Sequence, residues 1–473
     1  MTKAFLSGML ATFGICAAVT AQAQGPDQAA AMAAVRTLTV HPAIEPTPAL
    51  KYRLLPTFYE RKPGNAATLY KTAALLLVEH RDATLMDKIA KWNATPLAEL
   101  PQEEVAAALA QFTDVLHYVE LGAWRERCEW DWPLEDGGNM LLPDMQSYRN
   151  IARVLVLRAR LQVLKRDYAG AMRTLETGFS FAAHVGHGPV LINDLVGIYI
   201  TNLLLDATED FVQAPDAPSL YWALSALPSP FVDIGPAMEF ELGGMCWAPD
   251  ELKHPEAACL SPAGWADIFG HQLAESGGSG GDGLARGVFG LSPLALALVT
   301  YTDAKQHLIG KGEAPDRVEA MPVFQVVAIY LRDGWRVSAD EALKWWWYTP
   351  YPQARTDLGR IDRVFTEAGT KKYGWLVGLL MPALGRARFV AMMPDRRIAA
   401  LRAVEAIRLH AAATGGSLPA RLEDVRQAPI PLNPMTGEPF AYELQGNRAI
   451  LSAPAERWDG PDTQVNYEIE IAK

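Results

Sequence analysis

Along residues 149–213 the hydrophobic positions fall into three consecutive blocks at helical spacing. Val154, Leu157, Leu161 and Leu164 mark the first, and Tyr168, Met172, Leu175, Phe179 and Ala182 the second. Steps of three and four line one face of an α-helix. Between the blocks, Lys165-Arg166-Asp167-Tyr168-Ala169 predicts a tight turn, and Ala159, Ala171 and Gly178 lie where two antiparallel helices would approach most closely. His187-Gly188-Pro189 ends the second helix. The third has no charged residue from Leu195 to Leu205, which predicts a helix with neighbours all round it. Upstream, Val105, Leu109, Phe112, Leu116 and Val119 predict one buried helical face opened by Pro101, preceded by helices from Asn65 to Val78 and from Ala83 to Trp92.

Between the upstream helices and the three blocks, Trp124 to Met140 breaks the pattern and reads as an ordered loop, both aromatic and charged. Beyond the three blocks, helices are expected at Leu220–Leu227 and Phe231–Glu241, then a loop-rich stretch from Gly243 to Pro262. Glu275 to Gly283 is a low-complexity, flexible linker. Helices resume at Pro293–Gly310, Pro322–Asp333 and Ser338–Tyr348, the last ending in the aromatic run Trp345 to Tyr348. Trp375 to Ala413 predicts one long helix. Phe440–Leu444 and Arg448–Leu451 flank Gly446-Asn447, the signature of a β-hairpin, and Val465 to Ile471 alternates as a third strand. The expected fold is mainly α, antiparallel helical hairpins with a small C-terminal α+β segment.

The hairpin around Lys165–Ala169 resembles a single tetratricopeptide-type repeat, with no second copy in register. Leu379-Leu380-Met381-Pro382-Ala383-Leu384-Gly385-Arg386-Ala387-Arg388 is similar to the stem helix of a type IV pilin or pseudopilin, and Leu418-Pro419, Leu422 and Leu432-Asn433-Pro434 through Tyr442 to its helix-to-sheet transition. A pilin stem follows a leader peptide at the start of the chain. Here it comes late and contains prolines, which implies a borrowed fold and not a pilus subunit. The runs Ala49–Pro56, Pro63–Ala67, Arg125–Trp130, Thr174–Asn193, Ala217–Glu241 and Lys344–Ala354 resemble a family of uncharacterised exported proteins of planctomycete-type bacteria, a resemblance that implies no activity. The expected organisation is a signal peptide (1–23), a linker (24–49), a helical-hairpin domain (50–241), a loop-rich insertion (242–290), a second helical block (291–370) and a pseudopilin-like segment (371–473).

Lys3, the apolar run Ala4 to Val19 and the small-x-small site Ala21-Gln22-Ala23 read as a signal peptide cut after Ala23. The protein is therefore expected in the periplasm or at the cell surface, with no transmembrane anchor after cleavage. Loss of Lys3 takes the formal net charge from −11 to −12, a sign that repels nucleic acid and anionic membranes. Of the cysteines that remain, Cys246 and Cys259 lie close enough in sequence to pair in an oxidising compartment, leaving Cys128 over.

Two groupings carry candidate chemistry. His184 and His187, three apart with Asp194 downstream, can place two imidazoles on a metal, although a helix C-terminus with favourable histidine placement explains them better. Glu126, Glu129 and Asp131 stand among Trp130 and Trp132, where paired carboxylates beside aromatics can serve glycoside hydrolysis. The plainer reading is an acidic loop whose tryptophans pack on the helical body, and the aromatics at 345–348 likewise read first as packing. No H-E-x-x-H helix, C-x-x-C pair or phosphate-binding GxxxxGK[ST] loop is present. The expectation is an exported helical scaffold without cofactor that binds a protein, peptide or envelope component. The alternative is a polysaccharide-acting hydrolase or carbohydrate binder centred on Trp130.

Overall fold

The computed structural model describes residues 35–79, 83–134, 140–243, 248–276, 293–355, 375–453 and 465–472. The expected signal peptide, most of the glycine-rich linker and Cys246 lie outside them. Cys259 is exposed. The chain is mainly helical with a small sheet, as its pattern predicts. It divides into two compact units, one formed by the described parts of 35–130, 142–234 and 389–472, the other by those of 131–141 and 235–388.

The first unit contains β1 (Arg36–Val40), β2 (Lys62–Asn65), α1 (Ala66–Glu79), α2 (Ala83–Ala94), α3 (Gln102–Ala110), α4 (Thr113–Ala123), β3 (Arg125–Arg127), α5 (Met145–Leu164), α6 (Tyr168–Val185) and α7 (Leu191–Gln213). Helix α1 packs on α4, and α5, α6 and α7 pack on one another. Of the 23 residues in α7, 18 are buried, as its uncharged run requires. The α5–α6 turn places Arg166 at φ +58°, and Asp167 caps α6 by accepting the Gly170 N–H at 2.9 Å. From within α5 the Arg160 guanidinium donates to the carbonyls of Trp92, Asn93 and Thr95 at 2.7, 2.9 and 2.6 Å. It thereby satisfies the C-terminal turn of α2, and its Nε donates to Asp210 at 2.6 Å.

Two expectations are corrected in this unit. The face from Val105 to Val119 is buried as predicted, but it belongs to two helices, because the chain breaks at Gln111-Phe112, where the Thr113 hydroxyl donates to the Ala110 carbonyl at 2.8 Å. The supposed linker 24–49 supplies β1, whose alternating Arg36-Thr37-Leu38-Thr39-Val40 pairs in parallel with β6 (Asn466–Ile471). The sheet order is β1-β6-β5-β4, with β4 at Ala441–Gln445 and β5 at Arg448–Ser452. Gly446, at φ +66°, makes the expected two-residue hairpin turn. Residues 389–472 are therefore part of the same unit as the helical hairpins and not a segment apart.

Charge holds these pieces together. Arg397, on the helix Trp375–Ala413, donates to Asp206 and Glu209 of α7 at 2.7 and 2.8 Å. Arg36 of β1 reaches the same carboxylates at 3.1 and 2.6 Å, and the Tyr467 hydroxyl of β6 donates to Glu209 at 2.7 Å. About two to three turns further along the same helix, Arg408 and Glu405 pair at 2.6 Å with both side chains fully buried.

The second unit contains the helices Pro262–Ser276, Pro293–Gly310, Pro315–Ala320 and Val323–Trp346, with shorter ones at Gly235–Met238 and Asp250–Lys253. Trp265, Phe269, Leu308, Val326 and Val327 form its core. The two helices expected at 322–333 and 338–348 are one, and Phe231–Ile234 is not helical. The side chains of Trp345 and Trp346 lie outside the described residues. Asp333 takes hydrogen bonds from His307, Lys311 and Arg332 at 2.9, 2.7 and 2.7 Å. Burial would raise its pKa, but those donors hold it down at about 2. A depressed carboxylate contributes stability above its ordinary pKa and loses it as pH falls through the folded value. Asp333→Asn is therefore expected to cost about 2 kcal/mol at neutral pH, with the deficit shrinking as pH falls from 4 towards 2. Thermal unfolding across that range measures it, and a deficit that is constant with pH contradicts it.

Candidate functional site

A half-open cavity of about 580 Å³ lies wholly within the first unit. Four segments wall it: the chain before β2, the strand β3 and its continuation, the last turn of α6, and the loop 228–233.

The β3 wall is set by a two-stranded parallel ribbon. Lys62 N–H donates to the Trp124 carbonyl at 2.7 Å. Gly64, at φ +125°, lets the ribbon turn where the Arg125 side chain lies against it, and Arg125 donates to the Pro63 carbonyl at 2.6 Å. Asn65 does two tasks. Its Oδ1 accepts from Ala67 N–H, capping α1, and it exchanges a pair of 2.9 Å bonds with the Glu129 backbone. Trp130 then fixes the loop to the helices. Its indole N–H donates to the His184 carbonyl at 2.9 Å, and its ring lies 6.3 Å from that of Tyr70 and 5.4 Å from that of Tyr148. On the opposite side Asp395 accepts from the Ser229 hydroxyl at 2.7 Å and the Phe231 N–H at 3.2 Å, pinning the 228–233 loop.

Helix α6 contributes Ser180, Ala183 and His184, and His187 follows just past its end. Ser180 is 3% exposed and its hydroxyl has no hydrogen-bond partner. His184 Nδ1 lies 2.8 Å from the Tyr70 hydroxyl. Burial pushes the Tyr70 pKa far up, so that hydroxyl keeps its proton. With Tyr70 donating to Nδ1, the neutral ring carries its proton on Nε2. Burial first, then Arg61 and His187, lowers the His184 pKa to about 4. Cys128 also lines the cavity, and burial with the adjacent Glu129 charge pushes its thiol well up, away from the reactive thiolate.

The structure thus brings Glu126, Glu129, His184 and His187, expected as two separate groupings, to one cleft. Asp131 is exposed and is not part of its lining. Among the described residues no group of three or more His, Cys, Asp or Glu side chains is placed to hold a metal ion. Sequence reading missed Arg61, Arg125, Arg127, Ser180 and Asp233. The spacing of Ser180, His184 and His187 along one helical face was the available signal for the serine.

Neither Ser180 nor Cys128 is set up as a nucleophile. A serine nucleophile needs a base within hydrogen-bond reach, which Ser180 lacks, and a cysteine nucleophile needs a lowered pKa, where that of Cys128 is raised. Two measurements check the electrostatics. The His184 ring is expected to titrate near pH 4 by NMR of histidine-labelled protein, and a midpoint above 6 contradicts its burial. At pH 8 an alkylating reagent is expected to modify exposed Cys259 well before Cys128, and equal rates would show Cys128 to be activated.

Comparison of the chain with family models, curated proteins and solved structures finds no match.

Proposed function

We propose that this chain is an exported, non-catalytic binding protein whose helical body holds a peptide or envelope component in the cleft beside α6. The observation that carries the reading is the cavity itself. Its volume falls in the range of about 300–1,000 Å³ typical of small-ligand sites, and its wall gathers side chains of opposite charge. In this reading the α5–α6 hairpin is the tetratricopeptide-like module, and the sheet with its long helix is a borrowed pseudopilin-like fold. The carbohydrate reading is the weaker, because Trp130 is hydrogen-bonded and stacked within the helical body, where a sugar-binding ring needs an open face.

The test is capture from the organism's own envelope, with immobilised wild-type chain beside Arg61→Glu/Arg127→Glu and a control variant, Lys305→Glu. A component held by wild type and the control but lost from the double variant supports the proposal. Capture that survives the double variant removes the cleft from function.

A further inference from the structure

Resting on that binding reading, we propose that the cleft takes a small zwitterion of the amino-acid or short-peptide class, gripping carboxylate and ammonium at separate places. The charges of the wall carry the argument. Arg61, Arg125 and Arg127 line it together with Glu126, Glu129 and Asp233, three cationic and three anionic groups. A multiply charged anion would meet the carboxylates and a polycation the guanidiniums, each at a repulsive cost. A ligand with both charges, set apart, meets neither cost.

The internal pairing shows which groups stand ready. Arg127 pairs with Glu129 at 3.4 Å, and Arg125 is committed to the Pro63 carbonyl. Among the described residues Arg61 has no carboxylate partner and Glu126 no cationic one, and Glu126 accepts the Gly64 N–H at 3.4 Å. Arg61 acts electrostatically on His184, one helical turn beyond Ser180. This end of the wall therefore holds an uncommitted guanidinium beside the neutral His184 ring. A guanidinium without a carboxylate partner is the natural seat of a ligand carboxylate. Glu126, on the β3 wall, is the uncommitted acceptor for the ammonium end. Recognition of a carboxylate by guanidinium and of an ammonium by carboxylate uses charge-assisted hydrogen bonds, the strong class.

The test uses the full chain in equilibrium dialysis against three mixed tripeptide libraries: free at both ends, amidated at the C-terminus, and acetylated at the N-terminus. Members of the free library are expected to be retained, and each blocking group to weaken retention by about tenfold or more, the value of one charge-assisted contact. Arg61→Ala, at an exposed position, is expected to weaken the free library to the level of the amidated one. Glu126→Gln is expected to remove the distinction between free and acetylated amines. Retention no greater than that of Arg61→Ala, or retention indifferent to blocking, overturns the proposal. If peptides are not retained while envelope capture still depends on Arg61 and Arg127, the zwitterion falls and the binding reading stands. Release of free amino acids from retained peptides supports zwitterion recognition and overturns the non-catalytic reading.

Discussion

Arg397→Met is expected to destabilise the first unit by about 3–5 kcal/mol, the cost of removing one partner from a buried ion cluster. Asp206 and Glu209 sit on α7, at the centre of the hairpins, and Arg397 meets both at 2.7 and 2.8 Å with only 5% of its side chain exposed. Methionine preserves much of the packing volume but leaves two carboxylates and the Tyr467 hydroxyl facing Arg36 alone. Arg36 cannot replace the lost charge, because it already contacts both acids and is more exposed. The variant Arg397→Lys separates charge from geometry: it restores a cation but not the planar fork that spans two acceptors, and is expected to recover less than half of the loss. Burial would raise the Asp206 pKa, but Arg397 and Arg36 hold it below the ordinary aspartate value. The stabilisation is thus complete above the ordinary aspartate range and fades on acidification through the folded pKa, so the gap between wild type and Arg397→Met should narrow towards low pH. Chemical unfolding at pH 7 and pH 3 measures both. A loss below about 1 kcal/mol at pH 7 would place the cluster with surface ion pairs of little value.

That cluster also marks the limit of what was legible. The hydrophobic stripes specify which face of each helix turns inward: Leu157, Leu175, Phe179 and Val105 are all fully buried. They do not specify continuity. The face from Val105 to Val119 is one stripe carried by two helices, and the expected break after Asp333 is absent because Gly334 lies within an intact helix. A glycine there costs only about 1 kcal/mol against alanine, less than the packing of a long helix contributes. The strand β1 was hidden for another reason. Its partner β6 comes from the other end of the chain, and five alternating residues among alanines and prolines carry no local mark of a remote neighbour.

The cleft was half legible. Histidines three apart and carboxylates beside tryptophans are patterns of residue type, and both histidines with Glu126 and Glu129, but not Asp131, line the same cavity. Their chemistry was not legible, since it depends on what lies alongside: Tyr70 against His184, and Trp130 tied to a helix-end carbonyl. Ser180 is the sharpest case. A serine between two phenylalanines in a buried helix reads as filler, and only its tertiary setting makes it a lining residue of the cavity with its hydroxyl buried and unpaired.

Gly197→Ala is expected to cost about 3 kcal/mol, at the upper end of overpacking, while Gly178→Ala, on the facing helix, is expected to cost less than about 1 kcal/mol. Both glycines lie in helices, where alanine alone would stabilise by about 1 kcal/mol. What differs is the obstacle. A methyl at Gly197 would lie 2.4 Å from Gly186 Cα, 2.7 Å from its nitrogen and 3.0 Å from the Ala182 carbonyl, all backbone that cannot rotate away. A methyl at Gly178 would meet Leu204 Cδ2 at 2.4 Å, the far end of a side chain that can change rotamer. The clash at Gly197 therefore has to be relieved by parting α6 from α7 at their closest approach. Gly186 and His187 are cavity walls as well as the end of α6, so the same displacement reaches the cleft. Gly197→Ala is expected to move the His184 titration upward from pH 4 as the ring gains solvent, whereas Gly178→Ala, a turn and a half further back, leaves it in place. Loss of stability at Gly197 with no change in the His184 midpoint would show that the close approach supports the fold without shaping the cavity.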